Sequence, residues 1–133
     1  QMLTTTTIRE HPVTQVQMHG ISNCDTIKKA KKWLADAGIE FSFRDYKQQP
    51  PSISELQQWV EMVDWELLLN KRGTTWRKLP IDQQQTVSAE TVCQLLADQP
   101  SMIKRPLLLL QSGPQTQAVA GFKAEQYATI FKL

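Results

Sequence analysis

The sequence predicts an α/β domain, a mixed four-stranded sheet flanked by helices, with a helical insertion between a β-α-β half and a β-β-α half. Three observations carry that prediction. Apolar and polar residues alternate over 15–19 and 39–46, as in half-buried strands. A strongly amphipathic helix stands between those two stretches. An unbroken apolar run, Leu107–Leu110, then precedes the turn residues Gly113-Pro114, a second strand and a closing helix. The length of 133 residues suits one domain, and 41% hydrophobic with 21% charged residues is ordinary for a globular chain. A chain this long buries roughly two-thirds of its unfolded surface, so its core needs no disulfide framework or structural metal.

Each element has its own signal. Residues 1–13 (QMLTTTTIREHPV) lack amphipathic periodicity and read as a flexible N-terminal tail, leaving 14–133 as a single domain. Gln15–His19 is the first strand, with Val16 and Met18 on one face. After the turn Gly20-Ile21-Ser22-Asn23, a helix runs from Cys24 to about Ala37. It carries Ile27, Ala30, Trp33, Leu34 and Ala37 on one side, lysines on the other, and Gly38 as its stop. Ile39–Tyr46 alternates as a second strand. Ser52 with Glu55 three residues on forms a capping box for a helix through Leu56, Trp59 and Val63, and Trp65–Leu69 is a short helical piece. Asn70–Arg77 reads as a donor-rich polar loop. Ser88 caps a helix that Pro100 ends. Leu107–Gln111 is a strand buried on both faces, Gln117–Ala120 pairs back on it, and Lys123–Lys132 is the last helix.

Composition excludes several classes. Fifteen basic against thirteen acidic residues, net +2, do not make a nucleic-acid-binding coat. The longest apolar run is far too short to cross a bilayer. The first residues show no signal-peptide pattern. The two cysteines, Cys24 and Cys93, are too few for a secreted disulfide scaffold. With only His11 and His19 as histidines, no metal-ligand spacing appears. These facts predict a cytoplasmic protein, with no bound metal or cofactor and no nucleic-acid or membrane partner. A monomer is expected.

Cys24 is the candidate nucleophile. It opens a helix, where unpaired backbone N–H groups and the positive end of the dipole stabilise a thiolate and lower its pKa from about 8.5. Asn23 is a candidate cap of the same turn, and Thr26 a candidate hydroxyl donor to the sulfur. Lys28 and Lys29 favour the thiolate, whereas Asp25 opposes it. Cys93 beside Val92, Leu95 and Leu96 reads as a structural thiol in mid-helix. His19, at a strand end, is expected to be hydrogen-bonded or exposed. The tryptophans have core spacing, and Trp76 in the polar loop is a candidate cleft wall.

Three blocks, Gly20–Ala30 (GISNCDTIKKA), Asn70–Leu79 (NKRGTTWRKL) and Lys104-Arg105-Pro106, stand in collinear order. Together they resemble the arsenate reductase (ArsC) family, in its YffB-like branch, across residues 15–133. The resemblance implies a thioredoxin-like fold with a helical insertion and Cys24 as nucleophile. It also implies a cis Pro106 beside that cysteine, and arginines of the second and third blocks close to it. Arg105 matches through the Arg-Pro pair, Arg72 matches the thiol-reductase-like relatives, and Arg77 is a weaker match. A guanidinium there would hold an oxyanion or a carboxylate and lower the thiol pKa.

The pattern also departs from two branches. Arsenate reductases continue from the cysteine with a Gly-Thr/Ser-Ser-Arg-like stretch, where Asp25-Thr26-Ile27-Lys28 stands here. They carry a further arginine past the Arg-Pro pair, and residues 113–122 contain none. Spx regulators carry Cys-x-x-Cys, where this chain has Ile27. A one-cysteine site needs an external thiol to complete a redox cycle. The expectation is therefore a glutathione-dependent, glutaredoxin-like thiol reductase working through a mixed disulfide. Its catalytic residues are Cys24 and Arg105. Asn23, Thr26, Lys28, Arg72 and Pro106 bind glutathione or substrate. The partners are glutathione, as co-substrate, and a small disulfide or oxyanion. Arsenate reductase and a non-enzymatic, Spx-like protein-binding adaptor are the alternatives.

Overall fold

The computed structural model describes residues 13–132. A four-stranded sheet is ordered β2-β1-β3-β4. Its strands are β1 (Val13–Gly20), β2 (Ser42–Asp45), β3 (Leu107–Ser112) and β4 (Gln115–Ala120). β1 pairs in parallel with β2 and antiparallel with β3, and β3 pairs antiparallel with β4. Val13, assigned to the tail by the sequence, is the first residue of β1 and pairs with Ser112. The rest of that expected tail, residues 1–12, lies outside the described residues.

Helices cover both sheet faces. α1 (Asp25–Asp36) and α7 (Ala124–Phe131) enclose one core with Val16, Met18, Leu108, Leu110 and Val119. α2 (Ile53–Met62), α3 (Trp65–Leu68) and α6 (Val92–Asp98) enclose a second core around Tyr46, Leu56, Trp59, Leu96 and Leu107. The helical insertion also holds α4 (Thr74–Arg77), α5 (Ile81–Thr86) and a 3₁₀ turn at Pro100–Met102. Leu107, Leu108 and Leu110 are buried, while Leu109 is only half-buried. The apolar run of β3 is thus sandwiched along most of its length.

α1 begins after Cys24, which is its N-cap and makes no side-chain cap hydrogen bond. A side-chain cap is worth about 1 kcal/mol. Burying Ile27 and Leu34, both 0% exposed, contributes roughly 1.5–3 kcal/mol each. Packing therefore anchors this helix, and the thiol is left free for other partners. The helix ends as the sequence predicts. Gly38 takes φ +73°, with its N–H on Ala35 O at 3.0 Å and the Ile39 N–H on Leu34 O at 2.9 Å.

The capping box of α2 is present in both directions. The Glu55 N–H donates to Ser52 Oγ, and the Ser52 N–H donates to the Glu55 carboxylate, each at 3.1 Å. Three sequence expectations are corrected. β2 occupies only Ser42–Asp45, because Ile39 and Phe41 precede it as half-buried packing residues. The polar loop contains α4, and α5 follows it unannounced, since helices of four and six residues are too short to show an apolar period. Ser88 does not cap α6. Its carbonyl accepts from the Thr91 and Val92 N–H groups, which moves the start to Val92 with Thr91 as N-cap.

Candidate functional site

The end of β1 and the start of α1 converge on a glycine. A Cβ on Gly20 would collide with Ile27 Cδ1 and lie 3.5 Å from the Arg105 Cβ. Glycine is thus required for the helix and the Arg105 segment to approach the strand this closely. The turn that follows is tied to the end of β2. The Ser22 hydroxyl donates to Asp45 Oδ2 at 2.6 Å and its N–H to the same oxygen at 3.2 Å. The Lys47 N–H binds the other carboxylate oxygen at 2.8 Å. The Ser22 hydroxyl, first among these donors, holds the Asp45 pKa below its ordinary value. The Cys24 N–H closes the turn on Ile21 O at 3.2 Å.

Cys24 is a free, half-buried thiol. Partial burial works against its thiolate. The Ile27 N–H, the Arg105 guanidinium and the Thr26 N–H, all favouring the charged form, outweigh that burial, so the pKa lies below the ordinary thiol value. The positive charge of Arg105 adds to the shift. Arg105 is steadied by a 2.9 Å bond from Nη1 to the Ser101 carbonyl. The Arg105–Pro106 peptide bond is cis and Pro106 is buried, with its carbonyl accepting from the Gly121 N–H at 2.8 Å.

A cleft of about 650 Å³ reaches the neighbours of the thiol, Thr26 and Arg105, without Cys24 itself lining it. Thr26 and Arg105, which both lower the Cys24 pKa, line it together with Arg72 and Lys104. Gly121, Phe122 and Lys123 come in from the end of β4, and Glu66 and Leu67 from α3. The structure thus brings together Cys24, Thr26, Arg105 and Arg72. Other sequence candidates stand elsewhere. Asn23 is exposed and is not the N-cap. Thr26 contributes its backbone N–H to the sulfur, where a hydroxyl donor was expected. Lys28 is exposed on α1 and does not line the cleft, because its side chain leaves the helix on the solvent face. Trp76 packs half-buried against the α2–α6 core and does not form the cleft wall. Arg77, in the last turn of α4, is exposed.

The remaining titratable side chains separate into a second layer. Cys93 is buried, and burial pushes its pKa up. It is the second residue of α6, not a mid-helix one. His19 is neither hydrogen-bonded nor exposed, contrary to expectation. It is 3% exposed, stacks 6.4 Å from Tyr46, tilts 5.2 Å from Trp59, and has no hydrogen-bond partner on either nitrogen among the described residues. Burial, aided by the nearby Arg44 charge, lowers its pKa to about 4. Arg44 is paired with Glu55 through two bonds, at 2.6 and 3.0 Å. Among the described residues no group of acidic, histidine and cysteine side chains could hold a metal, and no helix is long and apolar enough to cross a membrane.

Sequence reasoning missed Gly20, Asp45, Lys104, Gly121 and Lys123. Lys104 was visible as the first residue of the Lys-Arg-Pro block, but nothing local showed that Lys123 would reach the same cleft. Comparison with known proteins places this geometry. A model of the ArsC family matches residues 19–130. An uncharacterised protein of Haemophilus influenzae is 40% identical over 116 residues, covering 87% of this chain and 98% of that one. The solved structure of a YffB protein superposes with a TM-score of 0.78 at 37% identity, covering 88% of this chain and 99% of the other. An arsenate reductase (ArsC) related protein from Brucella melitensis gives 0.70 at 44% identity, covering 90% and 97%. With its thioredoxin-like sheet and a cysteine heading the first helix, this chain belongs to the ArsC family.

Proposed function

We propose that the protein is a glutathione-dependent thiol reductase that uses Cys24 alone. The observation that supports this most is the set of donors on one half-exposed sulfur: two backbone N–H groups and the Arg105 guanidinium. They hold a thiolate ready for attack on a disulfide. The other cysteine, Cys93, is buried in the opposite core and is no resolving partner. Ile27 fills the position a vicinal second cysteine would need, and it is fully buried.

The cycle balances with glutathione as the external thiol. The Cys24 thiolate attacks the glutathionyl sulfur of a mixed disulfide between substrate and glutathione. A bond forms between Cys24 and that sulfur as the disulfide breaks, and the substrate thiolate leaves and takes a proton. A second glutathione, losing its proton, attacks the glutathionyl sulfur of the adduct. Oxidised glutathione departs and the Cys24 thiolate returns. In net, the mixed disulfide and one glutathione thiol become the substrate thiol and oxidised glutathione, so the incoming glutathione is the reductant. Two free thiols suit a reducing compartment such as the cytoplasm.

The test is a pH titration of Cys24 alkylation in a Cys93→Ala background, followed by mass analysis after exposure to oxidised glutathione. The expected result is a midpoint below that of a free thiol and one glutathione adduct, released by reduced glutathione and absent in Cys24→Ser. An ordinary midpoint with no adduct would refute the reading and favour a protein-binding adaptor. Arsenate turnover dependent on Cys24 would move the assignment to arsenate reduction, a reaction that the arginine-free segment 113–122 does little to support.

A further inference from the structure

We propose that the cleft beside Cys24 selects its thiol by charge, with Lys104 and Lys123 holding the two carboxylates of a tripeptide thiol that also carries one ammonium. This inference rests on the thiol-reductase reading and assigns the residues that recognise the co-substrate.

The cleft contains four cationic side chains, Arg72, Lys104, Arg105 and Lys123, against a single carboxylate, Glu66. Arg105 is bonded to the Ser101 carbonyl and its charge bears on Cys24. Among the described residues the ion pairs are Lys32–Asp36 and Arg44–Glu55, and neither draws a cation out of the cleft. The Lys104 side of the cleft is built around one glycine. Gly121 takes φ +83°, and a Cβ placed on it would lie 3.4 Å from Lys104 Cε. The Lys104 stem therefore lies across Gly121, and Lys123 follows two residues later at the head of α7. Two ammonium groups on one wall suit two carboxylates, while Glu66 on the α3 side is the lining group that suits an ammonium. A neutral thiol would gain nothing from this arrangement, and a cationic one would be repelled.

The test uses three disulfides of graded charge on the Cys93→Ala protein: oxidised glutathione, hydroxyethyl disulfide and cystamine. Rates of Cys24 adduct formation should rank anionic above neutral above cationic. The ratio of the first two rates should fall about tenfold in the Lys104→Gln, Lys123→Gln double variant, since each exposed charge pair contributes modestly. A Lys47→Gln, Lys78→Gln control, equal in charge but outside the cleft, should keep the ratio. Salt of about 1 M, which shortens the screening length to about 3 Å, should lower the ratio in the unsubstituted protein without any variant. If the neutral disulfide reacts but the ranking is missing, or survives both the double variant and salt, the inference falls and the reductase reading stands. If none of the three disulfides forms an adduct, both fall together.

Discussion

The two cysteines occupy matching places in the secondary structure and opposite chemical states. Cys24 is the N-cap of α1, and Cys93 is the second residue of α6. Both therefore sit at the positive end of a helix. Yet the Cys24 pKa is lowered and the Cys93 pKa is raised. The helix end by itself decides nothing. Cys24 is half-exposed, receives N–H groups from Ile27 and Thr26, and faces Arg105. Cys93 is 4% exposed within a core of Trp59, Val92 and Leu96, and burial alone sets its direction. A thiolate forms where donors and a cation converge at the surface.

The contrast yields ordered expectations. Alkylation at neutral pH should mark Cys24 on the order of a thousandfold faster than Cys93, whose reaction waits for local opening. Denaturant should erase the difference, and equal rates in the native protein would break the comparison. The layer that shields Cys93 should also weaken in acid. Folded His19 titrates at about 4 and the unfolded residue at 6.5, so only the unfolded state takes up the proton between those values. Stability should therefore fall as pH drops from about 6.5 to about 4, by up to about 3 kcal/mol, and then level off in this respect. The loss attributed to the Arg44–Glu55 pair begins lower, because Arg44 first of all holds the Glu55 pKa down. Melting temperatures of His19→Phe should lack the slope above pH 4.5, and an unchanged slope would show that another group carries it.

Gly20→Ala sharpens the comparison from the backbone side. The added methyl group would displace Ile27, whose N–H supports the thiolate, at a cost of about 1–3 kcal/mol. The variant should both melt earlier and alkylate more slowly at Cys24, with Cys93 unaffected in rate order. Arg105→Ala should slow Cys24 alkylation at pH 7 about three- to tenfold, with Arg105→Lys partly restoring it. A normal rate in Arg105→Ala would assign the lowered pKa to the amides alone. The smallest effect expected is that of Asp45→Asn, which loosens the turn before Cys24 and costs under about 1 kcal/mol, read by thermal melting.

Much of the site's frame was legible along the chain. The lysine-backed apolar stripe of α1 gave Ile27, Ala30 and Leu34 as its buried side, and the Ser52–Glu55 pair gave the start of α2. Those are signals within a few residues. The burial of His19 is not legible locally, because it depends on Tyr46 and Trp59, which come from β2's end and α2. Asn23 and Lys28 are close to Cys24 in sequence, but the helix turns Lys28 to solvent and gives the cap position to Cys24.

The sequence by itself determined the order of elements, the two-sided sheet and the cysteine that heads a helix, because periodicity, caps and glycine stops act locally. Only the tertiary structure decided what surrounds that cysteine. Arg105 lies 81 positions from Cys24 and Lys123 lies 99, and pairing of β1 with β3 and of β3 with β4 carries both to one cleft. Charge acts through space, so which cations bear on a thiol is settled by strand order and register rather than by neighbours in the chain.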